Sequence, residues 1–205
     1  MLTGQNDFDG AATAYREAIR RDEKSWIARF DLGQVLLKKH DTTGAVVAFR
    51  EAVTFEPNNP SVYNQLALAL CSQGEPLQGL QVLRDGVKAN PAWLTNTTTW
   101  VRYNLACCAV LATKAKGPQA DVESSHGLRG QALDWLTDDL AFWRGTWQAD
   151  PTKNLTLIHQ RLSHWLEDTD LAAVRESSKL PEVERPAWQK LWDDVRKLHE
   201  QTDKR

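Results

Sequence analysis

Three things are scarce in this sequence: cysteine, long apolar runs and an excess of charge of either sign. Its three cysteines are Cys71, Cys107 and Cys108, and the last two are adjacent. An odd number of cysteines, all placed in apolar runs, indicates small buried residues in a reducing compartment rather than a disulfide framework. The longest apolar runs, LALALC from Leu66 and ACCAVLA from Ala106, are much shorter than the roughly 20 residues that span a bilayer. We therefore expect a cytoplasmic protein with no membrane partner.

The charge balance argues against a nucleic-acid partner. The 25 basic and 27 acidic residues give a net charge of −2, whereas nucleic-acid binders usually carry a basic excess or a basic stripe. Lysine and arginine cluster only at Lys114–Lys116 and in the last few residues. The N-terminal MLTGQNDFDGA has neither a basic start nor an apolar stretch, so it does not predict a signal peptide.

Motifs of catalysis are also missing. The sequence has no glycine-rich kinase loop, no HRD or DFG triplet and no phosphate-binding GxxxxGK[ST] loop. The DFDG segment at Asp7 resembles the DFG triplet of kinases only superficially. No serine lies in a nucleophile elbow. We therefore predict no catalytic residues and no cofactor, and an enzyme with an unrecognised site is left as an alternative.

No set of residues has the spacing of a helical metal site. His159 and His164 are five residues apart, so their rings diverge on a helix, whereas a helical zinc pair needs a spacing of four. His164 and Glu167 are three apart, but the sequence offers no evident third ligand. The adjacent Cys107 and Cys108 cannot both face one ion from a helix. We therefore predict no metal site.

A unit of 34 residues repeats in the first half of the chain. The segments GAATAYREAI and GAVVAFREAV align with PLQGLQVLRDGV further on, without gaps. The aligned columns are Ala11, Ala45 and Gly79; Tyr15, Phe49 and Leu83; Arg16, Arg50 and Arg84; and Ala18, Ala52 and Gly86. Small residues let two helices approach closely, and the large residue four positions on fills the space between them. The unit closes at Glu23, Pro57 and Pro91, where proline ends a helix.

This column pattern resembles the tetratricopeptide repeat, a helix–turn–helix unit of 34 residues. Leu32 and Gly33 lie where the first helix of that family carries a Leu-Gly pair. The resemblance implies an all-α helical solenoid of the tetratricopeptide type with a helical C-terminal extension. We predict a partial first repeat and two full repeats over residues 1–97. Residues 98–205 should form a divergent hairpin followed by the extension.

Residues typical of helix starts and ends agree with this architecture. The predicted helices span 9–22, 26–38, 43–56, 60–73 and 76–89. Asn59 before Pro60, and Asp150 before Pro151, are typical of helix N-caps followed by proline in the first turn. The polar segment 114–127 contains glycine, proline and serine and predicts a long loop. No segment sustains an alternation of apolar and polar residues, so we predict no sheet.

The segment ALDWLTDDLAFWRGTW carries three of the nine tryptophans and could form an aromatic ligand platform or a buried helix face. On a helix, one stripe at spacings of four and three contains Ala132, Leu136, Leu140, Trp143 and Trp147. We therefore predict that Trp143 and Trp147 are core residues, with Trp135 as the one candidate for a solvent-facing ring. The adjacent Asp138 and Asp139 diverge on a helix and predict a solvated face.

The C-terminal segments continue in the same way. One predicted helix face contains Leu155, Ile158, Leu162 and Trp165, and another contains Trp188, Leu191, Trp192, Val195 and Leu198. The last helix should start at Pro186, and the final EQTDKR should fray.

Four segments also carry a narrower resemblance. YNLACCAVLA, RGQALDWLTDDLAFW, LSHWLEDTDLAAVRE and LPEVERPAWQKLWDDV occur in this order over roughly residues 100–197. They resemble the C-terminal tetratricopeptide region of planctomycete-type bacterial serine/threonine protein kinases. The resemblance implies a helical extension attached to a kinase domain upstream, or descended from one.

The tetratricopeptide resemblance also implies a concave groove lined by the first helix of each unit. The lining positions are Ile27, Phe30, Gln34, Leu37, Ser61, Asn64, Leu68 and Cys71, followed in a shifted register by Val101, Asn104, Cys108 and Leu111. Asn64 and Asn104 recur at one position, and an amide can both donate to and accept from a peptide backbone. The alternative is a polar side chain satisfied by water. The basic residues with which cochaperone members capture a carboxylate are replaced by Phe30, Gln34 and Gln65, so that activity is not expected.

We predict a non-catalytic module that binds a peptide or protein in this groove, as the regulatory or recruiting region of a bacterial serine/threonine kinase. A purely structural or dimerisation module of a larger protein is the alternative. Counting back from Ala11 places the start of the first unit upstream of Met1, so only MLTGQ remains of its first helix. We therefore expect a fragment, or a gene product whose true start lies upstream.

Overall fold

A computed structural model describes residues 7–96, 99–114 and 124–203, and the regular structure in these ranges is entirely helical. The α-helices are α1 (Phe8–Arg21), α2 (Trp26–Lys38), α3 (Thr42–Phe55), α4 (Pro60–Ser72), α5 (Pro76–Ala89), α6 (Val101–Ala112), α7 (Ser125–Ala149), α8 (Leu155–Glu167), α9 (Ala172–Arg175) and α10 (Arg185–Asp203). Short 3-10 segments lie at Pro91–Leu94, Thr169–Leu171 and Ser177–Lys179. The predicted all-α class is confirmed, since these ranges contain no strand.

The first five helices begin and end within one residue of their predicted bounds, because local side chains fix their first turns. Asp7, Asp41 and Ser25 each accept a hydrogen bond from the backbone N–H three residues on, at 2.7, 2.8 and 3.3 Å. The predicted cap at Asn59 is confirmed, since its side chain accepts from the N–H of Ser61 at 3.0 Å. These bonds satisfy N–H groups that the helix itself leaves without a partner.

Residues 1–101 form one compact unit in which each helix from α1 to α5 packs against the next. The small residues of the repeat columns lie where helices approach most closely. A Cβ atom on Gly79 would lie 2.8 Å from the carbonyl oxygen of Ala67, and one on Gly33 would lie 2.6 Å from the ring of Phe49. Phe49 and Ala45 are fully buried. The repeat spacing therefore sets which positions must stay small.

These close approaches predict opposite effects for two glycine substitutions. Gly79→Val should lower the free energy of unfolding by about 1–3 kcal/mol, because the added methyls meet backbone that cannot move aside. Gly145→Ala in α7 has no atom within 4 Å of the new Cβ and should raise stability by about 0.5–1 kcal/mol. Urea unfolding of both variants tests the pair. A stable Gly79→Val variant would mean that α4 and α5 do not pack this closely.

The sequence beyond α5 departs from the 34-residue register through a short inserted segment within residues 92–99. Its 3-10 turn, Pro91–Leu94, places Trp93 edge-on to Tyr63 with 5.0 Å between the ring centroids. Gly86 lies beneath this pair, where an added Cβ would be 2.4 Å from the Trp93 ring. The first residues of the inserted segment therefore pack over the end of the α4–α5 hairpin.

Residues 102–205 form the second compact unit, in which α10 packs against α7, α8 and α9. Its core is rich in indole rings, with Trp165, Trp188 and Trp192 almost fully buried. Trp192 donates its indole N–H to the carbonyl of Val174 at 2.8 Å. Trp143 is buried as predicted, whereas Trp147 is only half-buried, because it lies in the last turn of α7.

The predicted N-cap at Asp150 is wrong. Asp150 follows the end of α7, and its carboxylate accepts from the backbone N–H groups of Thr152 and Lys153 at 3.0 and 3.2 Å. The chain continues as a turn to Asn154, whose φ of 61° is left-handed, before α8 begins at Leu155. The Asp150 side chain therefore closes a turn between two helices instead of opening one.

Two predicted irregular segments are shorter than expected. In the predicted loop 114–127, Ser124 caps α7 by accepting from the N–H of Gly127 at 3.0 Å, so the helix starts at Ser125; residues 115–123 lie outside the described part. The predicted frayed tail is helical to Asp203. Thr202 is buried there and donates to the carbonyl of His199 at 2.7 Å. The predicted start of α10 at Pro186 is confirmed to within one residue.

Candidate functional site

The first helices of two successive repeats lie side by side in the first unit. α2 packs on α3 and also contacts α4, so the predicted groove positions on α2 and α4 share one face. Ile27 and Ser61 are exposed on it, and Asn64 is buried. The half-buried positions are Phe30, Gln34, Leu37, Leu68 and Cys71. We call this set, Ile27 to Leu37 on α2 and Ser61 to Cys71 on α4, the A-helix face.

The amide of Asn64 is the polar group at the centre of the α4 part of this face. Its side chain is only 6% exposed, and its Nδ2 donates to the backbone carbonyl of Thr99 in the inserted segment. Its Oδ1 has no hydrogen-bond partner among the described residues. A buried acceptor without a partner costs roughly 1–3 kcal/mol, and a donor that reached this oxygen would offset that cost.

The apolar members of the face divide their surface between the core and solvent. Phe30 meets Phe49 edge-on at 5.7 Å between ring centroids, so part of its ring belongs to the core. Ile27 is 56% exposed one turn earlier on α2. Leu68 lies one turn after Asn64 and keeps part of its side chain accessible. The face therefore combines one buried amide with partly exposed aliphatic and aromatic surface.

The remaining predicted groove positions lie on α6, at the start of the second unit and just before it. Asn104 is buried, as are Val101 and Cys108, while Leu111 is half-buried. α6 has buried residues around its whole circumference, which explains why positions such as Cys108 offer no side-chain surface. A role for Asn104 in a ligand groove shared with Asn64 stays a prediction.

A buried ionic cluster lies in the second unit where the sequence predicted a solvated face. Asp138 is exposed, but Asp139 is buried with its carboxylate 3.6 Å from the guanidinium of Arg102. The guanidinium of Arg161 lies 5.0 Å from the centroid of the Trp143 ring. Asp139 is three residues after Leu136 and four before Trp143, so the helical spacing itself places it on the buried stripe.

Burial raises the pKa of Asp139 to about 6, although Arg102 and Trp143 act in the opposite direction. The unfolded chain loses this proton near pH 3.9, whereas the folded chain holds it to about pH 6. Stability should therefore fall as the pH rises through this window, on the order of 3 kcal/mol in total. Asp139→Asn should gain stability relative to wild type as the pH rises from about 4 to about 6, measured by urea unfolding. A difference that does not change with pH would contradict this.

A second polar cluster joins α6 to the end of α8. The hydroxyl of Tyr103 donates to Asp168 Oδ2 at 2.5 Å, and His164 Nε2 lies 3.3 Å from the same oxygen. Cys107 Sγ is 4.0 Å from it. Asp168 Oδ1 accepts from the backbone N–H of Asp170 at 2.9 Å. Sequence reasoning missed this cluster because Cys107 and Asp168 are 61 residues apart.

The environment of this cluster disfavours negative charge on its phenol. Burial raises the pKa of Tyr103 far above its usual value, and Cys107 and Asp168 act in the same direction. Burial, followed by the charge of Asp168, also raises the pKa of Asp170. Tyr103 therefore acts as a neutral hydrogen-bond donor that orients the Asp168 carboxylate.

Comparisons with known proteins bear on the fold. A tetratricopeptide-repeat family model matches residues 2–60. The solved structures similar to this chain include "Crystal structure of MamA", with 14% identity, a TM-score of 0.59 and coverage of 97% of this chain and 92% of that one. "Crystal structure of YrrB: a TPR protein with an unusual peptide-binding site" has 16% identity, a TM-score of 0.53 and coverage of 96% and 82%. No curated protein matches the chain.

None of the described helices has the length and apolar character that crossing a bilayer requires. The helical hairpins, the matched repeat and the similar structures agree on one architecture. The predicted fold class is thereby confirmed: the fold is an all-α helical solenoid of the tetratricopeptide type.

Proposed function

We propose that this chain is a non-catalytic interaction module that binds a peptide or protein segment on the A-helix face. The observation that carries the proposal is the Asn64 amide, which is buried and fixed by Thr99 while its Oδ1 has no partner among the described residues. A ligand backbone N–H at this oxygen would satisfy it. The partly exposed Leu68, one turn later on α4, and Ile27 on α2 supply apolar contact.

An extended peptide suits such a face better than a small molecule. The face runs along two adjacent helices and has one buried polar anchor, Asn64, among mostly apolar side chains, which matches a chain that alternates backbone N–H groups and side chains. The similar structure described as a TPR protein with an unusual peptide-binding site provides a precedent in this fold. The proposed ligand is therefore a short segment of another protein.

Peptides selected from a random display library on the wild-type chain test this proposal. Their dissociation constants, measured by fluorescence anisotropy, should rise roughly 2- to 13-fold in Asn64→Ala, as one neutral hydrogen bond of about 0.5–1.5 kcal/mol is lost. Leu68→Ala should weaken binding as well. Circular dichroism establishes that the variants remain helical.

The matched control is Val47→Ala on α3. Val47 is an exposed aliphatic side chain on α3, the helix between α2 and α4 in the chain, and it lies outside the A-helix face. It should leave the dissociation constants unchanged. Peptides that bind Asn64→Ala and Leu68→Ala as tightly as wild type, or that lose affinity for Val47→Ala instead, would place the ligand elsewhere.

The finer part of the proposal is that the module regulates, or recruits substrates to, a bacterial serine/threonine kinase. Its support is the ordered resemblance of residues 100–197 to the C-terminal region of such kinases. Sequencing the transcript through and upstream of Met1 tests it. Kinase motifs in the same reading frame or in the adjacent gene are expected, and their absence from both would refute the kinase association.

A further inference from the structure

Three potential metal ligands converge in the second unit. Cys107 Sγ and one carboxylate oxygen each of Asp168 and Asp170 all lie within 4.8 Å of one another. Cys107 lies in the middle of α6, Asp168 follows the end of α8, and Asp170 belongs to the 3-10 turn after it. His164, in the last turn of α8, brings its Nε2 to 3.3 Å from Asp168 Oδ2.

From this convergence we infer a zinc-binding site formed by Cys107, Asp168 and Asp170, with a water molecule in the fourth position. Zinc binds thiolate sulfur at about 2.3 Å and imidazole nitrogen or carboxylate oxygen at about 2.0–2.2 Å, in a tetrahedron. Two ligand atoms of such a tetrahedron are therefore roughly 3.3–3.6 Å apart. The Cys107–Asp168 separation is 4.0 Å, and the ligand oxygen of Asp170 lies within 4.8 Å of both, so closing to this spacing needs only small side-chain movements.

The ligand types select zinc over harder ions. Calcium and magnesium prefer six or more oxygen ligands, whereas a buried thiol beside carboxylates suits zinc. Cys107 is buried, and the Asp168 side chain is only 14% exposed. Two carboxylates placed this close inside a protein repel each other, and a divalent cation between them compensates this repulsion.

The surroundings also hold the ligands in position. Tyr103 donates to one oxygen of Asp168, and the backbone N–H of Asp170 donates to the other, so both fix the carboxylate orientation. Arg175 donates to the backbone carbonyls of Trp165 and Asp168 and thereby anchors the turn that carries both aspartates. The His164 side chain is 51% exposed and gives the ion a route from solvent.

Such a site would tie α6 to the turn after α8, across 61 residues of sequence. Binding releases the proton of the Cys107 thiol to the buffer, because the thiolate is the ligand. Zinc should therefore bind more tightly as the pH rises, and it should raise the melting temperature of the chain.

The test uses the purified full chain after treatment with a chelator. Zinc affinity is measured by competition with a chromogenic chelator, and Co²⁺ is added in place of zinc as a spectroscopic probe. We expect one ion per chain and the intense sulfur-to-cobalt absorption of a thiolate ligand. Cys107→Ser should abolish this absorption, and Asp170→Asn should weaken zinc binding at least about tenfold.

Cys71→Ser is the matched control, since Cys71 is a half-buried cysteine on α4 in the first unit and is not one of the converging ligands. It should leave the ion count and the cobalt spectrum unchanged. If Cys107→Ser does not fold, Asp170→Asn and Asp168→Asn decide through their zinc affinities. Failure of the wild-type chain to retain one zinc ion, or affinities unchanged in both variants, would overturn the inference.

Discussion

Replacing Trp143 with alanine should lower the free energy of unfolding by about 3–5 kcal/mol. The indole is 2% exposed and lies under the guanidinium of Arg161, with 5.0 Å between that group and the ring centroid. Its removal leaves a cavity in the core of the second unit and takes a favourable aromatic contact from a buried cation. Urea unfolding followed by circular dichroism measures the loss.

Phe142 provides the control for this substitution. It is the adjacent residue, packs edge-on to Trp143 at 5.1 Å, and is 41% exposed. Phe142→Ala should therefore cost much less than Trp143→Ala. An unaltered unfolding midpoint for Trp143→Ala would instead place its ring in solvent and support an aromatic ligand platform in this segment.

Glu184→Gln should destabilise the second unit by about 3 kcal/mol. Glu184 is buried in the turn before α10 and accepts two hydrogen bonds from the guanidinium of Arg129, at 2.5 and 2.8 Å. His126 Nδ1 lies 2.8 Å from the same carboxylate. Neutralising Glu184 leaves the Arg129 guanidinium, itself largely buried, without its counter-ion.

This ion pair also has a defined pH dependence. The hydrogen bonds from Arg129, followed by that from His126, hold the pKa of Glu184 below its usual value. Its stabilisation is therefore complete above the ordinary glutamate pKa of about 4.3 and is lost as the pH falls through the lowered folded value. The stability difference between wild type and Glu184→Gln should shrink at acid pH.

Glu182→Gln is the matched control in the same turn. Glu182 is 91% exposed, and its contact with Arg185 is 3.9 Å long. This substitution should change stability by less than about 1 kcal/mol at any pH. Equal losses of unfolding free energy for the two glutamate variants would mean that the pair of Glu184 with Arg129 stabilises the fold no more than an exposed ion pair does.

The first five helices could be predicted from the sequence because the signals that set them are local. A cap such as Asp41 and its partner N–H are three residues apart. The repeat columns report contacts between consecutive helices, and Pro60 lies in the first turn of α4, where it needs no N–H partner. Each of these can be read within one 34-residue unit.

The candidate sites were less accessible, because they depend on contacts between distant segments. The A-helix face follows from the repeat register, but the hydrogen bond from Asn64 to Thr99 arises from the inserted segment, which breaks that register. Cys107 and Asp168 are brought together only by the packing of α6 near the end of α8. Asp139 could have been placed on the buried stripe from helical spacing, but its acidic neighbour at 138 favoured a solvated interpretation.

The packing of α1 to α5 each against the next has a consequence for how this unit opens. In a linear array of this kind, the end helices fray first and the interior ones exchange their amide hydrogens slowest. α2 and α4 belong to successive hairpins. A peptide bound across both helices would therefore hold the two hairpins together. Occupancy of the face would then appear as slower amide exchange in α1 and α5, the helices at either end, although neither contributes to it.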